Sequence, residues 1–366
     1  MKLPEYDSIL LVSFGGPEGP DDVLPFLENV LRGRNVPRER LLEVAEHYQH
    51  FGGVSPINAQ NRALIAALEI ELRQHGCDLP IYWGNRNWHP LLADTLRQMA
   101  ADGRRRAIAF VTSATSSYSS CRQYRENIAA AQVEVGPAAP VVEKLRAFFN
   151  HPRFIAAMAD RVSDAAQKLT PAQRLSAKIL FTAHSIPVSM AETSRYRQQL
   201  EEACRLVIRA LPPTLVQSAS LPARSASEAI PPSAPNELGL VDNHWRLVYQ
   251  SRSGPPTQPW LEPDICDYLR QLHAAGVENV IVVPIGFISD HMEVLYDLDT
   301  EAAALAQELG MNFVRAGTAG THPQFVAMIR ELIEERLDPS LPRRNLGELG
   351  ASHDECPVDC CPPPRR

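Results

Sequence analysis

An α/β fold built on two open parallel sheets is predicted by three features of this 366-residue chain. Its strand candidates are short, mostly continuous and often β-branched. Helical patterns alternate with them, and the rhythm is interrupted near residues 165–178 before it resumes. Continuous apolar strands suit a sheet covered on both faces, because neither face then meets water. Strand alternating with helix is the pattern of parallel sheets joined by crossover helices.

The strand candidates, in order, are residues 9–14, 79–84, 107–113, 179–184, 247–250 and 280–285. Helical patterns cover 59–75, 91–102, 141–150, 154–169, 193–210, 264–275 and 300–309. Pro90 and Pro152 stand where a helix start tolerates proline, and Gly76, Gly276 and Gly310 follow periodic stretches as helix stops. Leu169-Thr170-Pro171 breaks the helical pattern before the strand at 179. We therefore expect a first domain over 1–170 and a second over 171–322. Residues 323–366 would add a terminal helix, 323–337, and a cysteine tail packing back on the first domain. Within the second domain, 211–240 holds six prolines among many Ser and Ala. Such a stretch buries too little apolar surface to offset its ordering entropy, so a mobile surface insertion is expected there.

Hydrophobic residues make up 45% of the chain, enough for two packed cores, and the formal net charge is −7. No global basic field invites nucleic acid, and the clusters Arg104–Arg106 and Arg365–Arg366 lack interleaved aromatics. The opening residues do not form the unbroken apolar run of a secretory signal, so a cytoplasmic protein is expected. The longest apolar runs, 9–14 and 280–287, are far shorter than a bilayer crossing. Of seven cysteines, Cys77, Cys121, Cys204 and Cys266 are scattered, whereas Cys356, Cys360 and Cys361 crowd the last eleven residues. An odd count argues against a secreted disulfide framework, and the terminal trio reads as soft metal ligands.

Four segments carry chemistry. The strand at 179 runs into Phe181-Thr182-Ala183-His184-Ser185-Ile186-Pro187, which puts His184 at the carboxyl edge of a parallel sheet, where ligand crevices form. An imidazole there suits proton transfer near neutral pH, and a hydrogen-bonded core histidine is the other reading. After the strand at 280 comes Gly286-Phe287-Ile288-Ser289-Asp290-His291-Met292-Glu293-Val294-Leu295-Tyr296-Asp297. Asp290, Glu293, Asp297 and Glu301 recur every three or four residues, so a helix would align them in one stripe. Bordering a cleft, that stripe would serve a dication or protons; fully exposed, it would be an ordinary acidic face.

The third feature is a pair of glycine-bearing segments, Ser13-Phe14-Gly15-Gly16-Pro17-Glu18-Gly19-Pro20 and Phe51-Gly52-Gly53-Val54-Ser55-Pro56-Ile57-Asn58. Neither has the Gly-x-Gly-x-x-Gly spacing that opens a dinucleotide-binding helix, and no Walker loop occurs. A nucleotide enzyme is therefore poorly supported. The fourth segment, residues 112–125, places hydroxyls, Tyr118, Tyr124, Arg122 and Arg125 near another strand end. It suits a planar, carboxylate-bearing ligand, or is a hydroxyl-rich loop.

Together these motifs resemble the ferrochelatase family. The segment at 181–187 is similar to its Phe-(Ser/Thr)-Ala-His-Ser-(Leu/Ile)-Pro motif, and 286–297 to its second signature. Residues 11–19 and 51–58 match its N-terminal elements in order, so the resemblance covers 7–335 with 211–240 as a local insertion. It implies two Rossmann-like domains with parallel four-stranded sheets and a porphyrin cleft between them, the chelatase fold. It implies insertion of Fe2+ into a porphyrin in haem biosynthesis, with His184 as the active-site histidine and Glu293 as its acidic partner. Asp290, Asp297 and Glu301 resemble an acidic ladder on a helix with a π-type turn. Ser55 and Tyr124 resemble porphyrin-contacting residues. Phe14 stands where some members have a tyrosine, which removes a ligand to the product iron and leaves ring packing.

Cys121 with Cys356, Cys360 and Cys361 resembles the four-thiolate [2Fe–2S] site of one bacterial subgroup; a zinc site on the same thiolates is the rival. The segment around Cys121 resembles soluble bacterial members that include coproporphyrin III users. The four propionates of that substrate would be answered by Arg32, Arg122 and Arg125. Protoporphyrin IX is the alternative substrate, and a cobalt chelatase or a non-catalytic porphyrin or haem carrier are other readings. The implied partners are the porphyrin, ferrous iron and, transiently, neighbouring haem-pathway enzymes, with the chain monomeric or a homodimer.

Overall fold

The computed structural model describes residues 6–33, 36–213, 215, 244–254 and 257–363. Its first lobe runs β1 (Ser8–Ser13), α1 (Val23–Val30), α2 (Arg38–His50), α3 (Ile57–Gln74), β2 (Ile81–Asn85), α4 (Leu92–Ala101) and β3 (Arg106–Val111). A π-helical turn (Tyr118–Arg122), α5 (Gln123–Val135) and β4 (Val141–Lys144) follow. Then come α6 (Pro152–Ala166), α7 (Pro171–Ser176), β5 (Lys178–His184), α8 (Val188–Glu192), α9 (Tyr196–Ala210), β6 (Trp245–Gln250) and α10 (Ile265–Ala274). The chain continues through β7 (Asn279–Val283), α11 (Met292–Val294), a π-helix (Leu295–Ala302), α12 (Ala303–Glu308), β8 (Asn312–Arg315) and α13 (Pro323–Leu337).

Two four-stranded sheets result, ordered β2-β1-β3-β4 and β6-β5-β7-β8, and every pairing is parallel. The same order appears twice, so β5 occupies in the second sheet the place that β1 holds in the first. Both are interior strands: all six residues of β1 are buried, and in β5 only His184 at the carboxyl end emerges. The two-sheet α/β fold expected from the strand rhythm is the observed one.

Every expected strand is present, but β4 and β8 were not anticipated. Both are four-residue edge strands with one exposed position and three half-buried ones, so neither shows the continuous apolar pattern. The expected helix at 141–150 is overturned. Its apolar residues recur at helical spacing, yet residues 141–144 extend as an edge strand. The irregular stretch that follows turns Leu145, Phe148 and Phe149 into the core one by one. Phe148 packs against Phe110 of β3 (centroids 5.4 Å apart), Phe154 of α6 (5.6 Å) and Phe325 of α13 (5.9 Å). These rings join the first sheet to helices that follow it in sequence: Phe148 stacks on Phe110, meets Phe154 edge-on and Phe325 at a tilt.

Helix α13 lies against both α3 and α6. Its charged residues find partners there: buried Arg146 grips Glu335 through two nitrogens at 2.9 and 3.1 Å, and Arg330 reaches Glu71 at 2.8 Å. Beyond α13 the tail is pinned at Glu202 of α9, which accepts hydrogen bonds from the backbone of Glu348 and Leu349 at 2.9 and 3.1 Å. Asn150 adds bonds to the carbonyls of Leu346 and Gly350. Nearly all of 211–240, the expected insertion, lies outside the described residues. Among the described residues no helix is long and apolar enough to cross a membrane.

Candidate active site and cysteine tail

The strand-end motifs meet through close backbone approach. Gly286, after β7, donates its N–H to the Thr182 carbonyl of β5 at 3.0 Å, and a Cβ built on it would lie 2.7 Å from that of Ala183. Only glycine allows this contact, which brings the loop bearing Asp290 and Glu293 beside His184. In the first lobe, a Cβ on Gly16 would lie 2.7 Å from that of Ser55. The two glycine-bearing segments therefore pack on each other and do not form a phosphate cradle.

His184 Nε2 lies 3.6 Å from Glu293 Oε1, with the side chains 31% and 45% exposed, so the pair faces open space. The other ring nitrogen, Nδ1, donates to the Ser185 carbonyl at 2.6 Å, and Tyr196 Oη donates to the His184 carbonyl at 3.0 Å. The first bond orients the ring and the second anchors its main chain. Burial works against an imidazolium here, but the carboxylate of Glu293 and the Ser185 carbonyl outweigh it and lift the His184 pKa to about 9. For Glu293, burial disfavours the anion, yet His184 prevails and draws the carboxyl down to about 2. Burial lowers the His291 pKa, and its Nδ1 caps α11 by accepting from the Glu293 amide at 3.2 Å.

Beyond this pair the carboxylates diverge in environment. Asp297 accepts hydrogen bonds from Ser251 Oγ and from Gln250 Nε2, the latter at 3.4 Å. Burial, followed by the neighbouring Glu293 and Glu301 charges, pushes it up to about 7 despite the Ser251 bond. Glu301 is raised by burial and by Asp264. Asp290 stands apart from the stripe that periodicity drew: it precedes α11, pairs with Arg315 at 3.1 Å and accepts from Gln60 Nε2 at 3.4 Å. The helix changes pitch between the remaining three. Over 295–302 it is a π-helix, which matches the turn that the family resemblance implied and widens the spacing of successive carboxylates.

The first lobe covers the π-helix. His47 of α2 stacks on Tyr296 with centroids 3.7 Å apart, and Gln60 of α3 accepts from the Asp290 amide at 2.8 Å. Phe14, 36% exposed, lies under the guanidinium of Arg86, which also covers the ring of Tyr124 at 4.5 Å. Ser55 and Tyr124, expected at the ligand surface, are both buried. Arg32 is exposed. Arg122, expected at propionates, pairs with Glu126 at 2.8 Å and donates to the Cys360 carbonyl at 3.3 Å. Arg125 likewise donates to the Cys356 carbonyl at 3.1 Å.

Sequence reasoning passed over Gln250, Ser251, Gln60, Arg86 and Arg315. Gln250 had a usable signal, a polar residue ending an apolar strand. Its cross-strand partner in the sheet is His184. Arg86 had none beyond its place just after β2. Its Nε is buried without a hydrogen-bond partner among the described residues.

The tail brings its cysteines to the π-helical turn that carries Cys121. A hydrogen bond shared with Cys356 draws the buried Cys121 thiol down to about 5, against the effect of burial and helped by Lys144. The sulfurs of the adjacent Cys360 and Cys361 lie 3.6 Å apart, and Cys361 adopts φ +52°, unusual for a residue with a Cβ. Soft, partly buried thiols in one neighbourhood fit an iron–sulfur group in donor chemistry. The compact donor set among the described residues is different, however: His353, Cys356 and Cys360, with donor atoms all within 4.8 Å of one another. Among the described residues no fourth donor joins that compact set, while Cys121 bonds to Cys356 and Cys360 lies beside Cys361.

Comparison with known proteins shows the family. The sequence profile of the family described as Ferrochelatase matches residues 6–337. A "Ferrochelatase" of Rhodopirellula baltica is 59% identical over 98% of this chain and 94% of its own length. A "Coproporphyrin III ferrochelatase" of Streptomyces coelicolor is 52% identical over 98% and 93%, respectively. One from Frankia alni is 53% identical over 98% and 87%. Among solved structures, "SirB from Bacillus subtilis with Fe3+" superposes with a TM-score of 0.53 at 11% identity, covering 92% of this chain and 97% of its own, which speaks for the fold alone. By its matched profile and these relatives, the chain belongs to the ferrochelatase family, enzymes that insert ferrous iron into a porphyrin.

Proposed function

We propose that the porphyrin this ferrochelatase metallates is coproporphyrin III, giving coprohaem. The observation that carries the reading is high identity along nearly the whole chain to relatives named for that substrate. Arg86, half-buried over the ring of Phe14, and exposed Arg32 are two cationic groups of the first lobe that would answer propionates. Arg122 and Arg125, by contrast, are engaged by the tail. Anaerobic insertion of Fe2+ into coproporphyrin III and protoporphyrin IX, measured side by side, tests this. Faster turnover of the four-propionate ring is expected; preference for protoporphyrin IX would overturn the substrate and leave the chemistry in place.

Metal insertion requires two pyrrole protons to leave as the iron enters. His184 and Glu293 are the groups placed to exchange protons with the macrocycle and to take the incoming ion. The half-buried Asp297 and the exposed Glu301 continue from them along the π-helix. A carboxyl held near neutrality can pass protons or cations without a permanently buried charge. Phe14 offers its ring to the macrocycle and supplies no axial ligand.

The tail reading is a [2Fe–2S] group held by Cys121, Cys356, Cys360 and Cys361, supported by the soft donor set, the lowered Cys121 pKa and the docking of the loop by Arg122 and Arg125. When bound, it would supply an oxidation-sensitive tether between tail and first lobe. Iron and acid-labile sulfide analysis of anaerobically purified protein tests the assignment, and protein without sulfide would refute it.

A further inference from the structure

His353 has no part in the four-thiolate reading, yet its ring reaches the Cys360 thiol. Its Nε2 lies 3.7 Å from Cys360 Sγ, and with Cys356 Sγ the three donors fall within a 4.8 Å span. A tetrahedral zinc site with Zn–S of about 2.3 Å and Zn–N of about 2.0–2.1 Å separates its donors by roughly 3.5–3.8 Å. The observed donors therefore need to close by no more than about 1 Å, within reach of one short loop. The spacing His-x-x-Cys-x-x-x-Cys lets a single turn of chain supply all three.

The loop is also held. Arg125 donates to the carbonyls of Cys356 (3.1 Å) and Pro357 (3.3 Å), and Arg122 to that of Cys360 (3.3 Å). These contacts fix the backbone of both cysteines on the helix that follows Cys121, so the donors are partly organised before any metal arrives. His353 itself is exposed, and Cys356 and Cys360 are half-buried. The site is therefore open to solvent on one side, as metal entry requires.

We propose that His353, Cys356 and Cys360 form a mononuclear site for one soft divalent cation of the zinc class, leaving the fourth position to water. On binding, Cys356 and Cys360 each release a thiol proton to solvent, and His353 coordinates as neutral imidazole through Nε2. The site shares two cysteines with the cluster reading, so the two occupants exclude each other. The tail of cluster-free protein is then a zinc-class site rather than a set of idle thiols. This inference does not depend on the cluster, because it concerns the protein without one.

The test uses the full chain freed of iron and titrated anaerobically with Co2+, whose thiolate charge-transfer bands distinguish a cysteine site from the His184–Glu293 pair, which offers no sulfur. Wild type should bind one Co2+ with charge-transfer and tetrahedral d–d bands, and excess Zn2+ should displace it. His353→Ala should weaken that binding at least about 10-fold and alter the d–d bands, in keeping with loss of a first ligand. His353→Cys should restore it with stronger charge transfer, while Cys121→Ala should leave it intact. His353→Ala binding as tightly as wild type, or loss of the bands in Cys121→Ala instead, would overturn the proposal. So would wild type without charge-transfer bands. Sulfide analysis of the untreated protein reports on the cluster separately, so either idea can fail alone.

Discussion

His184 and Gln250 are cross-strand partners at the carboxyl edge of the second sheet. That register has a consequence for the pairing of His184 with Glu293. Gln250 Nε2 donates to the Glu293 carbonyl at 2.9 Å and reaches Asp297 at 3.4 Å. The strand beside the histidine thus fixes the turn that presents its acidic partner. Gln250 is a positioning residue: it acts through Glu293 and Asp297. Replacing it with Leu is expected to lower kcat about 10-fold with little change in KM, since an anchored geometry is lost and the porphyrin surface is kept. Steady-state kinetics with both substrates varied checks this; a rise in KM alone would count against it.

His184→Ala should reduce insertion by about two to four orders of magnitude, the usual scale for loss of a proton-transfer group. Porphyrin binding, followed by fluorescence quenching, should persist. Retained turnover would remove His184 from the mechanism.

The charge state of His184 gives a pH prediction with a definite sign. Its pKa is raised to about 9, so near neutral pH the free enzyme holds an imidazolium against the Glu293 carboxylate. A protonated ring cannot accept a pyrrole proton, so kcat/KM should rise with pH through an acidic limb that ends near that value. Glu293→Gln removes the counter-charge and leaves burial in control, which moves the His184 pKa downward. NMR titration of the ring should show the shift, and an unmoved pKa would mean that Glu293 does not hold the proton in place.

Asp297 supplies a stability test. Its pKa rises on folding, from 3.8 to about 7, so the native state binds the proton more tightly than the unfolded chain. Stability from this group is present at low pH and is lost as pH rises through that interval. Asp297→Asn removes the penalty. The variant should melt above wild type at pH 8 and close to it at pH 4, while losing insertion activity. Thermal scans at the two pH values check the sign.

Much of this was legible in the chain because interior parallel strands are written as continuous apolar runs, and residues at their carboxyl ends face the ligand. His184 was singled out on that basis, and Glu293 as its acidic partner through the family resemblance. Helical periodicity misled at 141–150, because an irregular segment that turns alternate apolar residues inward produces the same spacing. It misled again at Asp290, where a three-residue spacing spans a loop and the neighbouring Arg315, far along the sequence, claims the carboxylate. Arg122 and Arg125 were read as ligand-facing from composition. Their carbonyl partners belong to a tail more than 200 residues away, and no local pattern announces such a pairing.

Those tail contacts lead to a prediction that separates docking from ligation. Arg125 donates to two successive carbonyls of the cysteine loop, and neither bond involves a sulfur. Arg125→Ala keeps every metal donor but releases the backbone that presents Cys356. A charge-assisted hydrogen bond contributes on the order of 1.5–3 kcal/mol, so the loop should dock roughly 10- to 100-fold less favourably. Limited proteolysis should then cut the tail beyond Gly350 faster than in wild type. The segment before it should stay protected, because Glu202 and Asn150 still hold residues 346–350. If the tail of Arg125→Ala resists protease as wild type does, the arginine contacts do not hold it and the thiols themselves must dock the loop.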